Sequence, residues 1–114
     1  MVEYIAEQQL SELFRAVSDS TRRALILQLC QQGPTRVTEL AMCYDMSLNA
    51  ISKHIKVLEK AGLVVRKTLG RSHWIEVDLH QLSRIEGWFA QMKSIWELRL
   101  DMLDKVLTGD TENE

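Results

Sequence analysis

Asn49, Ser52, Lys53 and His54 crowd the early turns of a helical stretch that begins at Ser47. Glu, Ala or Leu would form helix more readily at these positions, so helix propensity does not explain the choice. Side chains of these types donate to and accept from base edges and phosphate oxygens. Lys56 and Lys60 continue the series, and Arg66, Lys67 and Arg71 follow just downstream. The chemistry on offer is recognition of double-stranded DNA. No Ser or Cys nucleophile motif, Gly-rich phosphate loop or carboxylate pair accompanies His54 and His73, so the sequence does not read as an enzyme.

Such side chains work only if a scaffold presents them. Ser47 is placed to cap the helix with its hydroxyl. Ala50, Ile51, Ile55 and Leu58 recur at helical spacing and face inward. Gly62 supplies the left-handed residue that ends the helix. Upstream, Arg36–Ala41 starts a short helix, and Tyr44-Asp45-Met46 joins it tightly to the Ser47 helix, giving a helix-turn-helix over 36–62. After Gly62 the apolar period changes from helical to alternating. Residues 63–68 and 72–77 read as two strands joined through Leu69-Gly70-Arg71, a wing over 63–77.

Before this unit, 4–17 predicts a helix with Leu10, Leu13, Phe14 and Val17 on one stripe. Asp19 or Ser20 caps the next, which buries Leu25, Ile26 and Leu29 and breaks at Gly33-Pro34. After the wing, 79–107 predicts one long helix. Leu82, Ile85, Phe89, Met92, Trp96, Leu103 and Val106 form a seam interrupted by Arg99, with Trp88, Ile95 and Met102 beside it. At 1.5 Å per residue this helix spans about 44 Å, longer than so small a body needs, and its apolar surface is too wide for one side of one protomer. A second copy of the chain is the simplest cover. Residues 108–114 are expected to fray.

The 114 residues fit one domain. A 46% hydrophobic content supports a core, and one Pro with five Gly argues against disorder. No apolar run is long enough to span a membrane, and no secretory signal is visible at the start, so a cytoplasmic location is expected. Cys30 and Cys43 are then expected as reduced, buried, inert thiols. The net charge of −2 hides a segregation: residues 47–73 hold six bases against Glu59 alone, a local +5 between acidic ends. A basic middle of this kind suits a nucleic-acid reader, and its plain alternative is a solvated charged face.

The stretches LFRAVSDSTRRALILQL (13–29), TELA (38–41), SLNAISKHIKVLEKAGLV (47–64) and GRSHWIEV (70–77) together resemble the ArsR/SmtB family of winged-helix bacterial transcription regulators. The resemblance implies a mainly α fold with a small β-hairpin, in the order α1-α2-α3-α4-β1-β2-α5. It implies a homodimer through the first and last helices, bringing Leu10, Leu13, Phe14, Leu82, Ile85, Trp88, Phe89, Met92, Trp96 and Leu103 to the interface. It further implies an operator with an imperfect inverted repeat, most often bound by a repressor. Ser47, Asn49, Ser52, Lys53 and His54 match positions facing the major groove or its flanking phosphates. Lys56 and Lys60 suit phosphate neutralisation, and Arg66, Lys67 and Arg71 lie on the wing. Leu48 departs from the polar residue often found at its position; it can touch a thymine methyl but cannot hydrogen-bond a base.

Metal sensing is common in that family, yet both of its ligand patterns are broken here. The Cys-x-Cys after Glu39-Leu40 is reduced to Ala41 and Cys43, and one thiolate cannot hold a soft metal. Asp78-Leu79-His80 keeps half of a second pattern whose other half falls on Gln91 and Ser94, which are poor zinc ligands. Asp78 and His80 therefore read as a cap of the last helix. No metal or cofactor is expected, and the effector is left open. A Cys30–Cys43 redox pair and an apolar ligand pocket along Trp88–Met102 are weaker readings than core thiols and a dimer seam. The competing function is a winged-helix protein adaptor without DNA binding.

Overall fold

The computed structural model describes residues 7–109, which fall into two units divided after Arg84. In the first unit α1 (Glu7–Val17), α2 (Ser20–Gln32), β1 (Thr35–Arg36), α3 (Val37–Met42), α4 (Leu48–Lys60), β2 (Val64–Leu69) and β3 (Ser72–Val77) follow one another, and α5 (His80–Thr108) begins. The expected helix starts at residues 4–6 and the tail beyond 109 lie outside the described residues.

Local chemistry sets the helix ends. Asp19 caps α2 by accepting the Arg22 N–H at 3.1 Å, and Ser47 caps α4 by accepting the Ala50 N–H at 3.1 Å. At the other end of α4, Gly62 (φ 78°) donates to the Glu59 carbonyl and Leu63 donates to the Leu58 carbonyl. That pair of bonds is the Schellman arrangement, and it needs a left-handed residue. A Cβ on Gly62 would also lie 3.0 Å from Cγ of Gln81. Gly62→Ala is expected to destabilise by about 1–2 kcal/mol, combining left-handed strain with that crowding. Urea denaturation checks this, and an unchanged midpoint would contradict it.

The sheet is antiparallel, in the order β1-β3-β2. Leu69 pairs with Ser72, so the wing turns on two residues, Gly70 and Arg71, with Gly70 at φ 61°. A positive φ at the first turn position matches the twist of the flanking strands. The sequence predicts two strands; the third, β1, has only two residues, in which Thr35 pairs with Ile75 and Arg36 with Trp74. The Arg36 guanidinium stacks over the Trp74 ring at 5.7 Å.

Leu13, Leu25, Leu29, Leu40, Ile51, Ile55, Leu58, Leu63, Val64 and Ile75 are the large side chains sealed from solvent. They come from α1, α2, α3, α4, the sheet and, with Leu63, the link between α4 and β2, so α4 is held by apolar contact along Ile51, Ile55 and Leu58. Ala50 and Ile26, expected in the core, are only half-buried. Within α5, Trp88 and Phe89 meet edge to face at 5.1 Å between ring centroids.

Candidate nucleic-acid interface

The buried face of α4 fixes what the opposite face shows. Asn49, Lys53, Lys56 and Lys60 recur at spacings of 4, 3 and 4, and all four are exposed. Such spacing puts them on one stripe of a helix. Ser47 and Leu48 are exposed at the start of the same helix, and Ser52 is half-buried beside the stripe.

Ion pairs then sort the cations. Lys60 meets Glu12 at 3.4 Å and Lys67 meets Glu76 at 3.1 Å. Arg66 makes a two-pronged contact with Glu59 at 2.9 and 3.1 Å, tying the end of α4 to β2. Glu59 raises the already high pKa of this half-buried guanidinium. Lys53, Lys56 and Arg71 are exposed and have no ion-pair partner among the described residues. The ion pairs thus divide the cations expected to meet phosphate: three are open, and three already face a carboxylate. Arg66 works as a clamp between helix and wing, while Lys60 and Lys67 are partly neutralised on the surface.

His54, expected to face the groove or its flanking phosphates, is largely covered by its own chain. Its side chain is only 18% exposed, and its Nδ1 lies 3.2 Å from an Nη1 of Arg22. Arg22 also donates from Nε to the Ala16 carbonyl and from Nη2 to the Arg15 carbonyl, both at 2.9 Å. These are carbonyls of the last turn of α1, which lack partners within their own helix. Sequence reading passed over Arg22. A base two residues into a capped helix gives no local sign that it reaches α1 and α4 together.

Asp19 completes this corner. The Arg22 N–H holds its carboxyl below the usual carboxylate range, against the opposing effect of burial, with the nearby His54 and Arg22 lowering it further. A depressed carboxyl contributes stability above its unfolded value, near about pH 4, and loses it as pH falls through the lower folded value. Amide exchange at Arg22 is expected to rise in acid over that window, and Asp19→Asn, which caps without titrating, should flatten the response. Identical acid profiles in the two proteins would contradict it.

Two other groups of residues sit differently from expectation. Cys30 and Cys43 are exposed, not buried. The inward stripe of α2 runs through Leu25 and Leu29, which turns Cys30 outward, and Cys43 follows the last residue of α3. The Cys43 sulfur takes a hydrogen bond from Gln28 at 3.2 Å, and Gln28 in turn accepts from the Tyr44 hydroxyl at 2.8 Å. Leu10 and Leu13, expected at a dimer interface, are 6% and 1% exposed within the single chain and have little surface left for a partner. Phe14, Leu82 and Trp88 are half-buried, and Ile85 is buried. Phe89, Met92, Trp96 and Leu103 stay open at 45–58%. The Asp78 carboxylate accepts the His80 N–H at 3.0 Å, which is a cap of α5. Among the described residues no group of three His, Cys, Asp or Glu side chains stands ready for a metal.

A short helix, a tight turn, a capped second helix with an exposed polar and cationic stripe, and a β-wing define a winged helix-turn-helix protein. A helix-turn-helix domain family matches residues 17–67. A solved ArsR family transcriptional regulator is 35% identical, with 85% of this chain and 97% of that one covered and a TM-score of 0.76. The chain belongs to the ArsR/SmtB family of winged helix-turn-helix transcription regulators. The arsenical resistance operon repressor of Bacillus subtilis (strain 168) is 33% identical over 59% of this chain, which spans 62% of that protein's length. The fold is shared with a homodimeric winged helix-turn-helix DNA-binding domain from Mycobacterium bovis, 18% identical at a TM-score of 0.61, with 100% of each chain covered.

Proposed function

We propose that the chain acts as a homodimer that binds an imperfect inverted repeat in promoter DNA and represses by excluding polymerase from it. The observation that carries this reading is the division of α4: Ile51, Ile55 and Leu58 are locked in the core while Asn49, Lys53 and Lys56 stand exposed on the opposite stripe. In this reading Ser47, Leu48, Asn49 and Ser52 meet base edges and the nearby backbone. Lys53 spans base and phosphate, Lys56 and Arg71 bind phosphate, and Arg66 and Lys67 shape the wing. Two copies place their α4 helices in successive major grooves about 34 Å apart. The open face of α5 through Phe89, Met92, Trp96 and Leu103 joins the copies, in keeping with the homodimer described for the mycobacterial protein of the same fold.

No helix among the described residues is long and apolar enough to cross a membrane. The reading places the protein in the cytoplasm with its DNA and gives it a binding role, with no catalytic step. The adaptor alternative leaves the exposed Lys53, Lys56 and Arg71 without a task. Fluorescence anisotropy on genomic fragments retained by the protein separates the two. Lys53→Ala and Asn49→Ala are each expected to cost about 1–3 kcal/mol of binding, with relaxed choice of base at one position. Fragments bound with unchanged affinity and preference by both variants would remove α4 from the interface.

A further inference from the structure

The corner where α1, α2 and α4 meet has a property that goes beyond the contact surface itself. Arg22 has only N–H donors and stays charged, so the His54 Nδ1 it faces at 3.2 Å must present a lone pair. The Asp19 carboxylate is 3.9 Å from the same nitrogen, too far to take a proton from it in a hydrogen bond. The ring proton therefore belongs on Nε2. That nitrogen has no hydrogen-bond partner among the described residues, and it is not among the atoms sealed from solvent without one. Residue 54 lies about 100° round the helix from residue 53, on the flank between the buried face and the exposed stripe. A donor at the flank of a helix seated in a groove meets the phosphate wall, not the base edges.

We propose that Arg22 is a positioning residue for DNA binding: it fixes His54 as the neutral Nε2–H tautomer, and that N–H donates to a phosphate oxygen of the duplex. This rests on the DNA-binding reading above. Arg22 itself touches no DNA in this scheme. Its other donors hold the last carbonyls of α1, so one guanidinium sets both the corner's geometry and the direction of the imidazole proton.

The first test needs no DNA. Long-range proton–nitrogen NMR of the whole chain at alkaline pH should show His54 protonated at Nε2, with Nδ1 as acceptor, and Arg22→Met should lose that fixed tautomer. A proton on Nδ1 in the wild type would overturn the proposal. The second test measures anisotropy on a duplex selected from a random-sequence library and on a scrambled duplex. His54→Ala should weaken both about tenfold, from two contacts per dimer of roughly threefold each. Its salt slope should stay unchanged, because a neutral donor displaces no counterion. His54→Gln, whose amide nitrogen reaches the Nε2 position, should recover most of the loss.

Wild-type affinity in His54→Ala would overturn the donor role. A slope shallower by about two would mark a cationic contact and overturn the neutral tautomer. A wild-type chain that binds neither duplex would instead overturn the DNA-binding reading, with the tautomer result still standing alone.

Discussion

With α5 joining two copies as proposed, Trp96→Glu is expected to yield monomers, and DNA affinity to fall with the dimer. Trp96 is 58% exposed in the single chain, with Phe89, Met92 and Leu103 exposed along the same seam. Covering an indole of this kind contributes about 1.5–3 kcal/mol, and a carboxylate pressed unpaired into the seam costs several kcal/mol more. Two copies carry the change, so dimerisation weakens by more than about 1000-fold, which is roughly 4 kcal/mol. A monomer keeps one reading helix and loses the gain from joining two half-sites. Sedimentation equilibrium gives the first result and anisotropy the second. Circular dichroism should show the helices retained, because no core residue of α1–α4 is altered. A variant that stays dimeric would move the interface off this face.

Binding should weaken steeply with salt, and the ion pairs set how steeply. Lys53, Lys56 and Arg71 have no ion-pair partner among the described residues, whereas Lys60, Arg66 and Lys67 already face Glu12, Glu59 and Glu76. About six phosphates neutralised per dimer give a slope of log K against log salt near −5, or about a 1000-fold loss between 50 and 200 mM. Counting every Lys and Arg of residues 47–73 instead gives a slope of about −11. Anisotropy across a salt series distinguishes these. A slope near zero would remove the electrostatic footprint, and one of about −11 would show the pairs opening on DNA.

The limits of α4 are written in its own sequence, because Ser47 and Gly62 act on backbone groups within three or four residues of themselves. The wing is legible for a related reason: Gly70 and a period-2 pattern specify a hairpin locally. The strand β1 is not legible. Two residues show no alternation, and Thr35–Arg36 becomes a strand only because β3 lies forty residues away in the chain to receive it. Charge partnership is hidden in the same way. Glu12 and Lys60 stand far apart in sequence, and Arg22 finds His54 only after α2 and α4 pack.

The apolar stripes give a partial answer. Leu10 and Leu13 announce that one face of α1 is covered, but not whether by this chain or a second one, and the fold assigns them inward. The same pattern on α5 stays largely uncovered within the chain, which is what motivates a partner there. Cys30 and Cys43 show the reverse error, since apolar neighbours in sequence do not fix which way a helical side chain turns.

Selection of bound duplexes from a random-sequence library, followed by sequencing, tests the paired-helix account most directly. It predicts an inverted repeat whose half-site centres lie one helical turn, about 10 base pairs, apart or at a multiple of that spacing. Enrichment of a single unpaired half-site, or of no sequence at all, would contradict two α4 helices held at a fixed separation.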